Sequence, residues 1–142
     1  MIRVGIDCGV KTGFAVAVKG VLNRVETLTI TKAMEAVKEL HEQHPDLVVR
    51  IEDARKRTWF GSTDARQAKS GAGVREGVGS VKRDCSIWEQ FCIEQGIKFD
   101  LVHPAANTTK TKADYFKKIT GWTGRTSEHS RDAAMLVFGR TK

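Results

Sequence analysis

Several features that would assign a protein class at once are scarce or missing in this sequence. Its 142 residues hold three cysteines and no Cys-x-x-Cys pair, which argues against a disulfide framework or a cysteine zinc site. We therefore expect Cys8, Cys85 and Cys92 to be reduced and largely buried. No apolar run approaches the roughly 18–20 residues of a membrane-spanning helix, and the N-terminus lacks a secretory signal pattern. We expect one domain over residues 1–142, soluble in the cytoplasm, with no membrane partner.

Acidic residues are outnumbered, and the excess of positive charge is uneven. The formal net charge is +7, with 24 Lys and Arg against 17 Asp and Glu. Residues 1–50 hold 7 basic and 6 acidic side chains, whereas residues 51–142 hold 17 and 11. This distribution favours a polyanionic partner such as nucleic acid, although solvated basic faces are common.

The first 18 residues predict two strands joined at Gly9 to Gly13. Apolar residues alternate over 2–6 and again over 14–18, as in half-buried strands. Asp7 ends the first strand, where burying a carboxylate is costly unless a cation or hydrogen bonds compensate it. Gly9 and Gly13 leave the backbone open to close approach. Either a metal or phosphate binds here, or Asp7 accepts hydrogen bonds from its own turn.

The rest of the sequence predicts an α/β fold. Residues 47–51 form a nearly continuous apolar run, typical of a strand buried on both faces in parallel pairing. We expect a three-strand antiparallel meander extended by parallel strands into a five-stranded mixed sheet flanked by helices. The remaining predicted elements are a strand over Val21–Ile30, a helix capped by Thr31 and closed near His44, a strand over Asp46–Asp53, a helix from Ser62 or Thr63 to Gln95, a strand over Ile97–His103, a helix over Ala113–Thr120, and a helix capped by Thr126 or Ser127 that ends near Gly139.

These predicted elements place two further groups of candidate metal-binding residues. Glu52 and Asp53 end the buried strand, so Glu52 and Asp7 meet at one sheet edge if their strands are neighbours. His129 and Asp132 stand three apart near the start of the last helix and share a face. Together they could form one metal site of mixed oxygen and nitrogen ligands.

A basic and aromatic segment predicts a nucleic-acid contact. Cations neutralise phosphates and aromatic rings stack on or wedge between bases, although Trp59 or Phe60 could equally pack into the core. The candidate nucleic-acid-binding residues are Arg55, Lys56, Arg57, Trp59, Phe60, Arg75, Lys82, Lys110, Lys112 and Arg125.

The long helix predicted before Gln95 carries an apolar seam and several glycines. Apolar residues recur at steps of four and three, as on one face of a helix: Val74, Val78, Val81, Cys85, Trp88 and Cys92. Each interior glycine costs about 0.8–1 kcal/mol relative to alanine, so either a partner approaches closely or the helix is broken. Our candidate dimer interface is this seam together with the glycines Gly71, Gly73, Gly77 and Gly79.

In the order of these motifs the chain resembles the RuvC branch of the RNase H-like superfamily, the Holliday-junction resolvases, in its compact phage-type form. The motifs are Gly5-Ile6-Asp7-Cys8-Gly9 with Thr12-Gly13, then Glu52, then His129-Ser130-Arg131-Asp132-Ala133. The resemblance implies an RNase H-like fold with Asp7, Glu52, His129 and Asp132 as catalytic and metal-binding residues. His129 would bind a metal or position the attacking water. A family lysine near a Thr-Gly turn is matched by Lys117 or Lys118.

The resemblance also implies an activity, a cofactor and partners. It implies a Mg²⁺- or Mn²⁺-dependent endonuclease, with two ions in each site, that resolves four-way and other branched DNA as a homodimer in a bacterial or phage-infected cell. The alternatives are an RNase H-like nuclease acting on RNA or RNA–DNA hybrid, as in the YqgF group, and a non-catalytic nucleic-acid-binding module.

Overall fold

The computed structural model describes residues 1–56 and 72–141, with side chains described from residue 79 onward in the second range. Short 3₁₀ turns lie at Ala54–Lys56 and Pro104–Ala106. The strands and helices are β1 (Ile2–Asp7), β2 (Lys11–Val18), β3 (Val21–Thr29), α1 (Ile30–Gln43), β4 (Val48–Glu52), α2 (Ala72–Gln95), β5 (Lys98–Val102), α3 (Ala113–Thr120) and α4 (Glu128–Met135).

The five strands form one mixed sheet in the order β3-β2-β1-β4-β5. β1, β2 and β3 pair antiparallel as a meander, whereas β4 pairs parallel with both β1 and β5. The predicted five-stranded mixed sheet is therefore confirmed. Over residues 1–56 and 72–141, no helix is long and apolar enough to cross a membrane.

Helices cover both faces of the sheet. On one face α1 and α2 pack against Ile6, Phe14 and Ile51. On the other face α3 and α4 pack against Ala15 and Ala17. The three thiols are free and buried, as predicted.

The predicted dimer seam on α2 is wrong between Cys85 and Cys92. The side chains of Cys85, Trp88 and Cys92 are fully buried in the core of this same chain, with Val81 packed beside them. This face is therefore occupied by the sheet and is closed to a second copy. The predicted start of the helix at Ser62 or Thr63 lies outside the described residues.

Three predicted boundaries also need correction. Thr29 rather than Thr31 caps α1, because the Thr29 hydroxyl accepts a hydrogen bond from the Lys32 N–H at 3.3 Å. β2 begins at Lys11, so Gly13 lies within the strand and pairs with Asp7 rather than forming the turn. The last helix ends at Met135, since Leu136 and Val137 already donate to carbonyls three residues back.

The backbone of α4 lies directly on two glycines of the sheet. A Cβ atom built on Gly5 would come within 3.0 Å of the Ala133 carbonyl, and one built on Gly13 would come within 3.0 Å of the His129 carbonyl. Because any larger residue would push the helix away, these glycines set the height of α4 above β1 and β2. The close approach expected at Gly13 is thus made by a helix of the same chain.

Hydrogen bonds hold both ends of α4. At its start the Ser127 side chain accepts from the Ser130 N–H at 3.1 Å, and the Ser130 hydroxyl accepts from the Ser127 N–H at 2.8 Å. At its end the Leu136 carbonyl accepts from Arg50 Nε at 2.9 Å and from Arg140 Nε at 3.1 Å. Such caps satisfy backbone groups that the helix itself leaves unpaired.

We predict that Gly5→Ala destabilises the protein by about 1–3 kcal/mol or more, as overpacking does in other cores. Gly79→Ala is the matched control, because nothing lies within 4 Å of a Cβ at this position in α2, so alanine should add about 0.8–1 kcal/mol of helix stability. Urea unfolding of both variants measures the difference. Equal stability of Gly5→Ala and wild type would refute the contact.

Candidate metal centre

Asp7 and Glu52 end adjacent strands in the same register. β1 and β4 are parallel neighbours, and Asp7 pairs with Glu52 in the ladder. Parallel strands present their carboxyl ends at one edge of a sheet, where ligands of such folds gather. The Glu52 carbonyl faces the Cys8 and Cys85 thiols, whose sulfurs lie 3.8 and 3.5 Å away.

Asp132 reaches the same edge from α4. One carboxylate oxygen from each of Asp7, Glu52 and Asp132 lies within 4.8 Å of the other two. Three carboxylates this close repel one another unless protons or cations intervene. Oxygen donors of this kind are the ligands preferred by Mg²⁺ and Mn²⁺. The donor set therefore fits a hard divalent cation.

Burial raises the proton affinity of two carboxylates in this cluster. Burial raises the pKa of Asp7 to about 6, a shift that the His129 hydrogen bond opposes and the Asp132 charge reinforces. The pKa of Asp132 is also raised, mainly by burial, against the opposing effect of a hydrogen bond from the Lys110 N–H. A bound cation would favour the ionised form of both groups.

His129 lies beside this cluster and contacts Asp7. Its Nδ1 is 3.0 Å from Asp7 Oδ2, and about half of the His129 side chain is exposed. The group of described residues able to share one cation consists of the three carboxylates and does not include His129. When Asp7 is ionised it can only accept, so Nδ1–H donates to it, and in the neutral imidazole Nε2 is then an acceptor.

Asn107 and the backbone of Lys110 complete the site, and sequence reasoning missed both. Asn107 Nδ2 donates to Glu52 Oε2 at 3.2 Å and to the Asp132 carbonyl at 3.1 Å. The Lys110 N–H donates to Asp132 Oδ1 at 2.7 Å, and Lys110 has a positive φ of 55°. The only sequence signal was a polar stretch after Pro104, the point where a neighbouring strand ends.

Two further carboxylates, Asp53 and Glu128, are adjacent in sequence to site residues but lie outside the group of three among the described residues. Asp53 is buried and paired with Arg55, whose Nε and Nη2 donate to Oδ1 and Oδ2 at 2.8 and 2.9 Å. These contacts lower the pKa of Asp53 despite its burial. Glu128 is exposed and lies outside the group of three.

The predicted nucleic-acid-binding residues divide into three groups. Arg55 is engaged internally, since its guanidinium also donates to Glu89 at 2.9 Å and to Ser86 at 3.1 Å. It therefore links the segment after β4 to α2, and its contact with nucleic acid stays a prediction. Lys56 is exposed, and its Nζ donates to the Leu101 carbonyl at 2.9 Å. Lys82 is half-buried, whereas Lys110, Lys112 and Arg125 are exposed. Arg57, Trp59 and Phe60, with the side chain of Arg75, lie outside the described residues.

Lys117 and Lys118 are both exposed on α3. Within residues 1–56 and 72–141, neither forms a hydrogen bond or ion pair with the three carboxylates. The turn after them is built as a helix end: Gly121 has a φ of 75°, and its N–H donates to the Lys117 carbonyl at 2.8 Å. The choice between the two lysines stays a prediction.

Two solved structures resemble this chain over most of its length. T. thermophilus RuvC in complex with a Holliday junction substrate has a TM-score of 0.57 and 18% identity, covering 96% of this chain and 90% of that one. A second T. thermophilus RuvC structure has a TM-score of 0.52 and 17% identity, covering 96% and 91%. The chain has a RuvC-like fold. The RNase H-like architecture expected from the sequence is thereby confirmed. No protein-family model and no curated protein matches the sequence.

We predict that Asp7→Asn stabilises the metal-free protein at pH 8. The folded-state pKa of about 6 lies above the ordinary 3.8, so ionising Asp7 costs about 2–3 kcal/mol of folding free energy above pH 6. That cost disappears as the pH falls through 6 towards 3.8. Urea unfolding at pH 8 and pH 4 measures it, with the exposed Asp46→Asn expected within about 0.5 kcal/mol of wild type. A variant no more stable than wild type at pH 8 would contradict the desolvation argument.

We predict that Asn107→Ala weakens Mn²⁺ binding roughly 10–100-fold, the usual effect of losing a group that orients metal ligands. Asn107 is half-buried and holds both Glu52 and the Asp132 carbonyl. Isothermal titration with Mn²⁺ measures the affinity, and the exposed Asn23→Ala on β3 serves as the control. Unchanged affinity in Asn107→Ala would remove Asn107 from the site.

Proposed function

We propose that this protein is a divalent-metal-dependent endonuclease that cuts branched DNA at four-way junctions. The observation that carries the proposal is the convergence of Asp7, Glu52 and Asp132 within 4.8 Å at one sheet edge. It is supported by the RuvC-like fold, since one of the similar structures is RuvC in complex with a Holliday junction substrate. The net charge of +7 suits a polyanionic substrate.

The three carboxylates would hold one or two Mg²⁺ or Mn²⁺ ions. Asp7 lies on β1, which pairs with β4 on one side and has α4 packed on its face. Asp7 is therefore the carboxylate best placed to be shared between two ions. Glu52 and Asp132 would each hold one of them. Bound cations of this kind polarise the phosphate and stabilise the attacking and leaving oxygens.

His129 would move the proton of the attacking water. Its Nδ1–H donates to ionised Asp7 across 3.0 Å, which fixes the ring orientation and leaves Nε2 able to accept a proton. The exposure of the ring leaves this side open to substrate. A water-positioning role therefore fits the geometry better than metal ligation, because the cluster of described ligands excludes His129.

Paired nicks in a four-way junction need two active sites, so we propose a homodimer with isologous contacts. Its surface is not the α2 face from Cys85 to Cys92, which is buried in the core of one chain. We therefore propose that the interface uses another surface of the chain.

We predict that the wild-type protein with Mg²⁺ or Mn²⁺ nicks a labelled immobile four-way junction and leaves a matched duplex intact. Asp7→Asn should abolish nicking while junction binding persists, because it removes a ligand without removing positive charge. Glu128→Gln is the matched control and should keep nicking, since Glu128 is exposed beside His129 but outside the carboxylate group.

The same assay should include a four-way RNA, an RNA–DNA hybrid and single strands. Preferential cleavage of the hybrid would move the proposal to the RNase H-like alternative. Binding without cleavage of any substrate, with both metals supplied, would favour a non-catalytic module. Full activity of Asp7→Asn would exclude the proposed centre.

A further inference from the structure

A half-open cavity of about 250 Å³ lies between α3 and the loop that leads into α4. Two exposed cations, Lys117 and Arg125, line it, and neither forms an ion pair with any residue in the described ranges. One acid, Asp114, also lines it. The wall therefore carries one more positive than negative charge and suits an anionic ligand.

The apolar part of the wall is aromatic. Phe116 and Trp122 both line the cavity, and the indole Nε1 of Trp122 is buried without a hydrogen-bond partner among the described residues. Gly124 runs across this edge of the ring, since a Cβ there would lie 3.0 Å from Nε1. A buried N–H without an acceptor costs free energy, so an acceptor on a ligand that displaced the Gly124 backbone would be stabilised here.

A hydrogen bond and a short stretch of chain connect the cavity to the carboxylate centre. Thr126 lines the cavity and accepts a hydrogen bond from Arg131 Nη1 at 2.8 Å, and Arg131 directly precedes Asp132. Thr126 is three residues before His129, so their Cα atoms lie within roughly 11 Å of each other even for extended chain. With successive nucleotides about 3.4 Å apart along the axis, the cavity is within a few nucleotides of a phosphate bound at the centre.

We propose that this cavity holds one nucleotide of the cut DNA strand, with its phosphate between Lys117 and Arg125 and its sugar or base against Trp122. The inference rests on the proposed nuclease function and specifies how that site holds its substrate. The volume of about 250 Å³ falls just below the roughly 300–1,000 Å³ of sites that enclose a whole small molecule. It therefore suits one unit of a polymer whose remainder lies outside.

The test is a coupling measurement on the Asp7→Asn background, which leaves the substrate uncut. Fluorescence anisotropy gives the affinity for an immobile junction in which single linkages near the branch point are replaced, one at a time, by neutral methylphosphonates. Replacement of the linkage at one position should weaken junction binding roughly three- to tenfold, the range for a charge-assisted contact at a partly exposed site. In Lys117→Ala/Arg125→Ala the same replacement should cost less than twofold, because the cations that read that phosphate are gone.

The matched control removes two cations from elsewhere. Lys32 and Lys38 are exposed on α1, which packs on the opposite face of the sheet from α3. Lys32→Ala/Lys38→Ala lowers the net charge equally, yet should keep the full sensitivity to the neutral linkage. Arg125→Ala alone should lose part of it, which separates strand binding from any chemical role of Lys117. Thermal unfolding checks that each variant is folded.

The outcomes separate this inference from the function on which it rests. If wild type nicks the junction but no linkage couples to Lys117 and Arg125, the cavity proposal is overturned and the nuclease proposal stands. If one linkage couples but wild type nicks nothing, the cavity binds a strand and the nuclease proposal fails. If Lys32→Ala/Lys38→Ala loses the same sensitivity to the neutral linkage, the effect is explained by net charge alone. That result would also overturn the cavity proposal.

Discussion

The contact on which the rest of this structure depends is that between the α4 backbone and the bare backbone of β1 and β2. Gly5 and Gly13 have no side chain to hold the helix off the sheet, and the carbonyls of Ala133 and His129 occupy that space. Asp132 and His129 are carried by that helix, so their reach to Asp7 follows from the missing Cβ atoms. Gly5 and Gly13 therefore position the site, although neither has a side chain that could take part in its chemistry.

Holding three carboxylates close together lowers the folding stability of the metal-free protein. A bound cation would offset that loss. Three carboxylates within 4.8 Å, one with its pKa raised to about 6, are held together by surrounding hydrogen bonds. Asn107 and the Lys110 N–H donate to Glu52 and Asp132, and Arg50 with Arg140 holds the far end of α4. Preorganised sites commonly show this pattern of local strain supported by surrounding hydrogen bonds.

How much of this could be predicted from the sequence depends on whether a residue belongs to a periodic element. Asp7 and Glu52 ended strands whose apolar pattern was clear, so their meeting at one edge followed from parallel pairing. His129 and Asp132 were placed on one helical face by their spacing. Asn107 and Lys110 lie in irregular chain, where no period reports which way a group faces. The ion pair of Arg55 with Asp53 could not be predicted, because composition does not reveal an internal partner. The α2 seam was apolar for the core rather than for a second copy, and periodicity alone cannot distinguish the two.

The most direct test of the central claim is a crystal structure of the wild-type protein grown with Mn²⁺, with the metal located from its anomalous scattering. We predict anomalous density between the carboxylates of Asp7, Glu52 and Asp132, with α4 still seated on Gly5 and Gly13. Manganese bound elsewhere, with those three side chains empty or moved apart, would contradict the account.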